Sequence, residues 1–441
     1  MISIFSPSNS PRLEYVLQHL CEVLWGNSFR IFRDEKAFRA QPADARINYS
    51  GQELEGAFRI PVHGLLFEED IHPQDVEMKW GKDFPYCFVL AETSGNGTDW
   101  DVFSACFYFL SRYEEYLPFT PDAHGRFPAE ASLAFRRHCL QLPLVDRWAE
   151  YLAGELQQLF PAFSVPARKA RFVPTYDIDI AYAFRGKSRL LNLAGALRQK
   201  LRRDDEGLEL RRKVRAGLVP DPYDTFERLE KLHVQENLQP HYFVLFARRS
   251  RFDKGISPKN EAFRRLVRQL SEEGSVGIHA SYVSAFSKTE RLRSEIKALA
   301  RCTGKEICCN RCHYLRLRLP YTFRNLLSAG IRDDYSMGYS TQAGFRAGSC
   351  TPFRFFDLEY NRITSLTLHP LLLMENAFFA DDDRSAEALW KKVRPLLDQV
   401  MRFGGEAVTL FHNPSFGSMP GHDLPVRELY TRIIRYMKNK P

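Results

Sequence analysis

Short apolar runs alternate with amphipathic stretches along the second half of this 441-residue chain. The apolar runs are rich in β-branched and aromatic residues and predict strands, whereas apolar positions repeated every three to four residues predict helices. In chain order, the predicted elements are the strand 171–179, the helix 225–236, the strand 241–246, the helix 260–273, the strand 275–282 and the strand 407–413. Such alternation is typical of parallel strands joined by helical crossovers, which gather functional side chains at the carboxyl ends of the strands.

The first 165 residues follow a different pattern, in which short apolar runs lie between longer helical stretches. The predicted elements here are the helix 12–24, the strands 45–49 and 58–62, and the helices 100–117 and 142–159. We expect residues 1–165 to form a smaller α+β domain and residues 166–441 to form an α/β domain. The boundary is predicted within 161–169, where a helical stretch gives way to proline, alanine and basic residues.

Acidic and histidine side chains stand at the ends of the predicted strands. Asp177 and Asp179 close the first strand, and because side chains alternate along a strand, both point to one face. Two carboxylates on one face repel each other unless a cation or a shared proton compensates them. His279 and His412 lie near the ends of two later strands. The pattern indicates a metal or acid–base site, with an aspartate pair that caps a following helix as the alternative.

Four short motifs follow one another in a recognisable order. They are Thr175-Tyr176-Asp177-Ile178-Asp179, Glu273-Gly274-Ser275-Val276-Gly277-Ile278-His279, Arg311-Cys312-His313-Tyr314 and Leu410-Phe411-His412. In this order, and over about residues 168–415, the chain resembles the polysaccharide deacetylase family, also called the NodB-homology or carbohydrate esterase 4 group. No single motif is specific, but the order of four is. The resemblance implies a distorted (β/α) barrel behind the N-terminal domain, whose counterpart in some bacterial polysaccharide loci is uncharacterised.

The resemblance also implies roles for individual residues. Asp177 would be the general base, His412 the general acid, and Arg311 the residue that orients Asp177. Asp179 and His279 would hold a divalent metal, with zinc as the first candidate.

One position departs from the family pattern. The family places a second metal-binding histidine four residues after the first, and this chain has Val283 there. Another residue would have to complete the ligand set, unless water fills the position or the metal site has been lost. The candidates for substitution are His313, His369 and Asp334.

Loops after the third motif combine glycine, aromatic and charged residues. This composition suits sugar recognition, because rings stack on apolar sugar faces and forked donors bind hydroxyl or carboxylate groups. The residues predicted to bind a carbohydrate are Tyr282, His313, Asp334, Tyr339 and Arg346. Ordinary turn chemistry with a satisfied Asp–Arg pair is the alternative for each. We expect His124 and His422, which lie in glycine-containing loops, to be exposed to solvent.

The combined interpretation is a metal-dependent deacetylase that hydrolyses an N-acetyl group from a sugar or a polysaccharide precursor. Val283 leaves an alternative, a non-catalytic carbohydrate-binding protein that kept the barrel and lost its metal site. A glycosidase that uses Asp177 and another carboxylate is a third interpretation, but no partner carboxylate at the required separation is identifiable.

Composition bears on where the protein works. No apolar run approaches the about 18–20 residues of a membrane helix, and the N-terminus lacks a basic region followed by an apolar one. Nine cysteines are an odd number, which favours reduced thiols over a disulfide framework. We therefore expect a cytoplasmic protein whose carbohydrate substrate is small, lipid-linked or nucleotide-linked.

The segment Cys309-Asn310-Arg311-Cys312-His313 matches the C-x-x-C-H pattern of haem attachment. Haem is attached to such motifs outside the cytoplasm, which disagrees with the expected location. A zinc knot that includes Cys302 is chemically possible, but the C-x-x-C spacing occurs only once. We expect reduced thiols that hold no cofactor.

Most of the net charge of +8 lies in one segment. Between Arg185 and Arg215 there are eleven basic residues and four acidic ones. Within it, residues 190–201 carry leucines at helical spacing. They predict either a peripheral membrane contact, with an interfacial helix on anionic lipid, or a surface helix that packs its leucines on its own protein. We expect the second arrangement, and no nucleic-acid binding, because no recognition motif accompanies the charge.

Overall fold

The computed structural model describes residues 1–90, 95–287, 289–378, 383–417 and 424–439. The N-terminal domain contains short strands and helices, together with shorter helical turns. In chain order these elements are β1 (Ile2–Phe5), α1 (Pro11–Leu17), β2 (Phe29–Phe32), α2 (Glu35–Ala40), β3 (Ala45–Asn48), β4 (Phe58–Arg59), β5 (Lys79–Trp80), β6 (Pro85–Tyr86), α3 (Val102–Leu110), α4 (Leu133–Arg136) and α5 (Leu144–Leu159). Strands β1 to β4 form a parallel sheet in the order β2-β1-β3-β4.

The first helix illustrates how the apolar pattern becomes structure. Ser10 caps α1 by accepting a hydrogen bond from the backbone N–H of Leu13, and Pro11 takes the first helical position, where no N–H is required. The chain then continues as a π-helix over Gln18–Leu24, so the predicted helix 12–24 is one stretch with a change of winding. Its apolar residues other than Val23 are buried, which anchors α1 in the core.

The second part of the chain is a closed barrel. Its strands are β7 (Arg171–Ile178), β8 (His241–Val244), β9 (Ser275–Ala280), β10 (Cys309–Cys312), β11 (Asp333–Met337), β12 (Phe353–Asp357), β13 (Arg362–Met374) and β14 (Glu406–His412). Seven strands run parallel in the order β11-β10-β9-β8-β7-β14-β13, and the pairing of β11 with β13 closes the ring. Strand β12 pairs antiparallel with β13. The predicted (β/α) barrel is confirmed.

Helices connect the parallel strands. They are α6 (Arg189–Leu201), α7 (Asp205–Arg215), α8 (Phe226–Gln235), α9 (Glu261–Glu273), α10 (Thr289–Thr303), α11 (Tyr321–Ser328), α12 (Ala386–Phe403) and α13 (Leu424–Asn439). In α9, Asn260 caps the first turn, and Phe263, Leu266, Val267 and Leu270 form the buried stripe that the pattern predicts. No helix in the described ranges is both long enough and apolar enough to cross a membrane.

Packing inside the barrel helps to position Arg311, a residue of the predicted site. The interior cluster consists of Val173, Phe243, Cys309, Leu315, Tyr335, Leu371, Val408 and Leu410. Gly277 on β9 makes room for Phe243, because a Cβ at residue 277 would lie 2.7 Å from that ring. The guanidinium of Arg311 lies 4.7 Å from the centroid of the same ring. The bare backbone of Gly277 therefore helps to set the position of Arg311.

The leucine face of α6 is exposed, contrary to the arrangement expected from the sequence. The exposed fractions are 79% for Leu190, 69% for Leu193, 58% for Leu197 and 77% for Leu201. Helix α7 does pack, through Val214 against Ala183 and Phe184. The expectation for α6 was wrong because helical periodicity indicates that an apolar face exists, but not whether anything covers it.

Buried charges join the N-terminal domain to the barrel. Arg346 donates to Glu115 through Nε at 2.9 Å and Nη2 at 2.7 Å, and Arg112 donates to Glu115 through Nε at 2.8 Å. Arg112 also donates to the Tyr339 hydroxyl at 3.2 Å. Burial alone would raise the pKa of Glu115, but the two guanidinium charges hold it below its usual range. We call Arg112, Glu115, Tyr339 and Arg346 the interdomain charge network; the boundary within 161–169 stays a prediction.

Candidate metal and acid–base site

Strand register brings the predicted site residues together at one end of the barrel. In the pairing of β14 with β7, His412 lies opposite Asp177. In the pairing of β10 with β9, Arg311 lies opposite His279. The carboxyl ends of parallel strands meet at the same edge, so residues more than 100 positions apart in the chain share one site.

Asp179, His279 and His313 form a compact group of potential metal ligands. One donor atom from each lies within 4.8 Å of the other two. His279 Nε2 is 3.1 Å from Asp179 Oδ1, and His313 Nε2 is 3.5 Å from Asp179 Oδ2. Both imidazoles are buried, whereas the Asp179 side chain is 28% exposed, so the group opens to solvent beside this carboxylate. One carboxylate and two imidazoles are a donor set that zinc and related divalent ions accept.

Hydrogen bonds orient both imidazoles toward Asp179. His279 donates from Nδ1 to the carbonyl of Arg311 at 2.9 Å, and His313 donates from Nδ1 to Asp253 Oδ1 at 2.9 Å. These bonds leave Nε2 of each ring facing the group, which is the arrangement of a metal-binding histidine. Asp179 Oδ1 is buried and has no hydrogen-bond partner among the described residues. The group therefore fits a divalent cation.

The electrostatics of this group favour positive charge. Burial alone would lower the pKa of His313, but the carboxylates of Asp179 and Asp253 raise it to about 9. Burial alone would raise the pKa of Asp179, but the neighbouring imidazoles of His313 and His279 hold it well below its usual range. A proton or a metal cation satisfies the same carboxylates, so ligand binding here competes with protonation.

Asp177 lies between this group and Arg311. Its Oδ2 is 3.5 Å from His279 Nε2, and its Oδ1 is 3.4 Å from Arg311 Nη1. Arg311 is buried and donates from Nε to the carbonyl of Tyr335 at 3.0 Å. Burial lowers the pKa of Arg311, and the charge of Asp177 acts in the opposite direction. The fixed guanidinium positions the Asp177 carboxylate at the inner side of the group.

His412 faces the same group from the other side. It donates from Nδ1 to Glu375 Oε1 at 2.7 Å, and its Nε2 is 3.6 Å from Asp179 Oδ2. Its side chain is 17% exposed, so Nε2 is near the opening. Burial alone would lower the pKa of His412, but the charge and hydrogen bond of Glu375 raise it to about 10. The imidazole is therefore protonated at neutral pH, as a general acid must be.

Aromatic rings border the site beside His313, and one of them belongs to the N-terminal domain. The ring centroids of His313 and Tyr314 are 4.6 Å apart, and those of Tyr314 and His124 are 4.8 Å apart. Tyr282 stacks on Phe252 at 4.1 Å, and its hydroxyl is 3.3 Å from His124 Nδ1. We call His124, Phe252, Tyr282 and Tyr314 the aromatic border. His124, which was expected to be exposed to solvent, is half-buried here.

The loop that carries His124 is held in a fixed shape. Asp122 Oδ1 accepts from the backbone N–H groups of His124 and Arg126, both at 2.9 Å. Arg316 of the barrel donates to the carbonyl of His124 at 2.9 Å. The N-terminal domain thus presents a side chain at the margin of the candidate site. His422, the other histidine expected to be exposed, lies outside the described residues.

Three predicted substrate-binding residues are instead engaged inside the protein. Asp334 is buried and accepts hydrogen bonds from Asn310 at 2.6 Å and Ser336 at 2.9 Å. Arg346 and Tyr339 belong to the interdomain charge network. They line a cavity of about 100 Å³, which is small beside the roughly 300–1,000 Å³ of ligand sites. The polar groups of these three residues already have protein partners, and their binding of a carbohydrate stays a prediction.

Of the three candidates for the third ligand, His313 alone joins the group in the described structure. His369 instead bonds Glu406 through Nδ1 at 2.8 Å and lies 3.4 Å from Asp333 through Nε2. Glu406 and Asp333 are the first residues of their strands, so His369 points to the opposite end of the barrel. Sequence spacing could not choose between these candidates.

The cysteines occupy positions away from Asp179. All nine are free thiols. Cys309 and Cys312 lie at the two ends of β10 and belong to different apolar clusters, so they do not converge on one ligand. Cys308, Cys309 and Asp333 have donor atoms within 4.8 Å of one another, at the end of the barrel opposite His279.

Comparisons with known proteins give weak likenesses. Residues 2–161 match a family described as a family of unknown function (DUF7033). A comparison with curated proteins returns no match. Among solved structures, a Mycobacterium smegmatis protein assigned as a polysaccharide deacetylase is 15% identical, with a TM-score of 0.39 over 62% of this chain and 86% of that one.

Two further structures are similarly distant. A polysaccharide deacetylase from Bacillus cereus is 11% identical, with a TM-score of 0.31 over 61% of this chain and 89% of that one. A CE4 family pseudoenzyme from Bacillus anthracis is 8% identical, with a TM-score of 0.30 over 61% of each chain. These likenesses carry no functional argument, so function must be argued from the side chains.

Proposed function

We propose that this protein is a metal-dependent deacetylase that hydrolyses an N-acetyl group of a sugar or a polysaccharide precursor. One observation carries the proposal: the carboxylate and two imidazoles around Asp179 are faced by a buried carboxylate, Asp177, on one side and by His412 on the other. A cation site flanked by a base and an acid suits amide hydrolysis. The order of the four sequence motifs supports the same reaction class.

Asp179, His279 and His313 are the proposed ligands. A divalent ion held there, with zinc as the first candidate, would polarise the acetyl carbonyl. This assigns His313 a ligand role in place of the substrate-binding role expected from sequence. Its hydrogen bond to Asp253 supports that assignment, because metal-binding histidines commonly donate their second N–H to a carboxylate.

The remaining polar residues carry the protons. Asp177 accepts a proton from the water whose oxygen attacks the acetyl carbon. His412 donates the Nε2 proton to the amine nitrogen as the C–N bond breaks, which releases acetate and a free amino sugar. Arg311 positions Asp177, and Glu375 positions His412 and keeps it protonated. The acid and the base thus both lie at the group that contains Asp179 and can act in a single turnover.

The proposed substrate is a carbohydrate with an N-acetyl group, either lipid-linked or nucleotide-linked. The aromatic border lies beside His313, and its partly exposed rings, those of His124, Phe252 and Tyr314, suit the apolar face of a pyranose. Tyr282 is itself buried between Phe252 and Arg316, and its contact with substrate stays a prediction. The cytoplasmic location stays a prediction.

Zinc binding tests the ligand set. Calorimetric titration of the metal-free protein with Zn²⁺ should reveal one site. Loss of a group that only orients a metal ligand lowers metal affinity by roughly 10–100-fold. Because His313→Ala removes a proposed ligand itself, it should weaken the affinity for Zn²⁺ by at least that factor. The matched variant is His369→Gln, which alters the other histidine considered for this position and should leave the affinity unchanged. Absence of zinc binding in the wild-type protein would leave the non-catalytic carbohydrate-binding protein as the better interpretation.

Acetate release tests the reaction. N-acetylglucosamine oligosaccharides and nucleotide-linked N-acetylglucosamine are suitable probes. Asp177→Asn and His412→Ala should each lower the rate by about 10²–10⁴-fold. Thr409→Val is a control on the same strand as His412, because the Thr409 hydroxyl is buried without a partner among the described residues. Asp177→Asn removes the carboxylate beside the buried Arg311 guanidinium and should therefore also lower the free energy of unfolding. The rates are compared under conditions in which circular dichroism shows that both proteins are folded.

Two outcomes would count against the proposal. If both variants keep the wild-type rate, Asp177 and His412 are not the base and the acid. If the wild-type protein binds zinc and carbohydrate but releases no acetate, the binding-protein alternative is favoured.

A further inference from the structure

Helix α6 carries an apolar stripe that faces solvent. Leu190, Leu193, Leu197 and Leu201 recur at the spacing that places residues on one side of an α-helix, and all four are exposed. Large exposed apolar patches of this kind on a folded protein mark a contact with something outside the chain. The exposed leucines therefore indicate a binding partner outside the chain.

The polar side of α6 faces the protein. Arg211 of α7 donates from Nη1 to Asn192 Oδ1 at 3.0 Å and from Nε to Gln199 Oε1 at 2.6 Å. Asn192 is buried, although asparagine is mostly exposed in folded proteins. The orientation is thus the reverse of an ordinary surface helix, which turns its apolar side inward. Hydrogen bonds to a neighbouring helix hold the leucines outward.

Cations flank the stripe on both sides. Residues 185–203 contain seven basic residues and no acidic one. At about 100° per residue, Arg189 and Lys200 lie along one edge of the leucine stripe, and Arg198 and Arg202 lie along the other. All four are exposed. An exposed apolar stripe between two cationic edges is the arrangement of a helix that lies in the surface of an anionic bilayer.

We propose that α6 docks the protein on an anionic lipid surface, with its leucines among the acyl chains and its lysine and arginine side chains at the phosphates. Charge complementarity selects this occupant. A second copy of the chain would bring an equally cationic helix to the contact and would be repelled. A neutral bilayer would accept the leucines but would not compensate the cations.

Docking through α6 would set the orientation of the barrel. The helix follows β7, the strand that leads directly to Asp179, so it is attached at the barrel end that carries the candidate site. Insofar as the proposed function holds, this attachment favours a lipid-linked carbohydrate as the substrate. The docking itself is independent of catalysis and is measurable without a substrate.

Vesicle co-sedimentation of the full chain tests the docking. The wild-type protein should sediment with vesicles of phosphatidylcholine and phosphatidylglycerol but not with phosphatidylcholine alone, and added salt should weaken the binding. The double variant Leu193→Asp/Leu197→Asp should lose binding by about tenfold or more. Both positions are exposed, so the fold should tolerate the change. Val234→Asp, at another exposed apolar side chain, should bind like the wild type.

A second variant separates the charge from the apolar stripe. Arg198→Gln/Arg202→Gln should reduce binding to anionic vesicles while leaving the leucines in place. Failure of the wild-type protein to bind anionic vesicles, or equal binding by the double leucine variant, would overturn the proposal. A wild-type dimer in solution that the double leucine variant dissociates, without vesicle binding, would instead assign the stripe to self-association. Acetate release enters none of these readouts, so the proposed reaction can fail while docking stands.

Discussion

At the scale of single residues, the protonation of His412 depends on one carboxylate. Glu375 follows β13 directly and places Oε1 against both the Nδ1 and the backbone N–H of His412, at 2.7 and 2.8 Å. Burial alone would lower the pKa of His412, but Glu375 first of all, together with Asp179 and Asp177, raises it to about 10. As a general acid, His412 is active below that pKa and is lost as the pH rises through it.

Replacing Glu375 by glutamine should therefore move the alkaline limb of the profile of kcat/KM against pH to lower pH. The direction follows because glutamine removes the negative charge while burial, which favours the neutral imidazole, remains. We expect a shift of at least about one pH unit. Ser415→Ala is the control, because it removes only a neutral hydrogen bond to the same Glu375 oxygen. An unshifted limb in Glu375→Gln would mean that His412 is not the titrating acid.

Some residues of the site could be predicted from the sequence and others could not. Asp177, Asp179 and His412 were identifiable because each ends an apolar run, and strand ends converge in a parallel barrel. Asp253 and Glu375 were missed because a carboxylate that orients a histidine has no required spacing from it in sequence. The signal available for Glu375 was its place directly after the apolar run 371–374, which was not assigned to a strand.

At the scale of elements, the loop around His124 extends the site into the N-terminal domain. His124 touches Tyr314, the residue next to the proposed ligand His313, and Arg316 of the barrel holds its carbonyl. His124→Ala should raise KM for an N-acetylated oligosaccharide by about 2- to 10-fold, the equivalent of one aromatic contact, with kcat changed less. His72→Ala, at an exposed histidine of the same domain, is the matched control.

Initial rates over a range of substrate concentrations give the KM and kcat of both variants. If His124→Ala lowers kcat by the same factor of about 2- to 10-fold and leaves KM unchanged, His124 has a structural role and does not contact the substrate. Asp122→Ala offers an independent check, because it should loosen the loop and raise KM in the same direction.

Elements differed in how far their sequence predicted them. Strands β7, β8, β9 and β14 and helices α8 and α9 were predicted within a few residues, because they bury regular stripes, whereas β11 to β13 and α10 to α13 were not assigned. Strand β10 was not predicted, because its sequence lacks the alternation of a half-buried strand. The position of His313, which follows β10, was therefore not predicted either. The orientation of α6 was beyond the sequence, because hydrogen bonds from Arg211 decide which side of the helix turns inward.

At the scale of the whole molecule, the interdomain charge network ties the two domains into one stability unit. Glu115 pairs with both Arg112 and Arg346, whereas Arg112 also pairs with Glu114 at 2.9 Å, and all four side chains are buried. Glu115→Gln leaves the guanidinium of Arg346 without its carboxylate inside the protein, so the free energy of unfolding should fall by about 3–5 kcal/mol. Urea denaturation followed by circular dichroism measures it.

The exposed pair of Glu35 and Arg39 on α2 provides the control for that measurement. Glu35→Gln should change the free energy of unfolding by about 0.5 kcal/mol or less, because solvent screens an exposed pair. Equal effects of the two substitutions would show that the buried network does not hold the domains together.

The barrel also has a consequence for the growing polypeptide. Strand β7, which carries Asp177, takes one of its two neighbours from β14, and their register joins Arg171 to Glu406. At roughly 5–20 residues per second, the ribosome needs on the order of 10 to 50 seconds to synthesise the chain between them. During that interval, one edge of an apolar strand has no partner, which is a condition for mispairing. Protection of this nascent edge, by a chaperone or by the finished N-terminal domain, would therefore limit mispairing until β14 is synthesised.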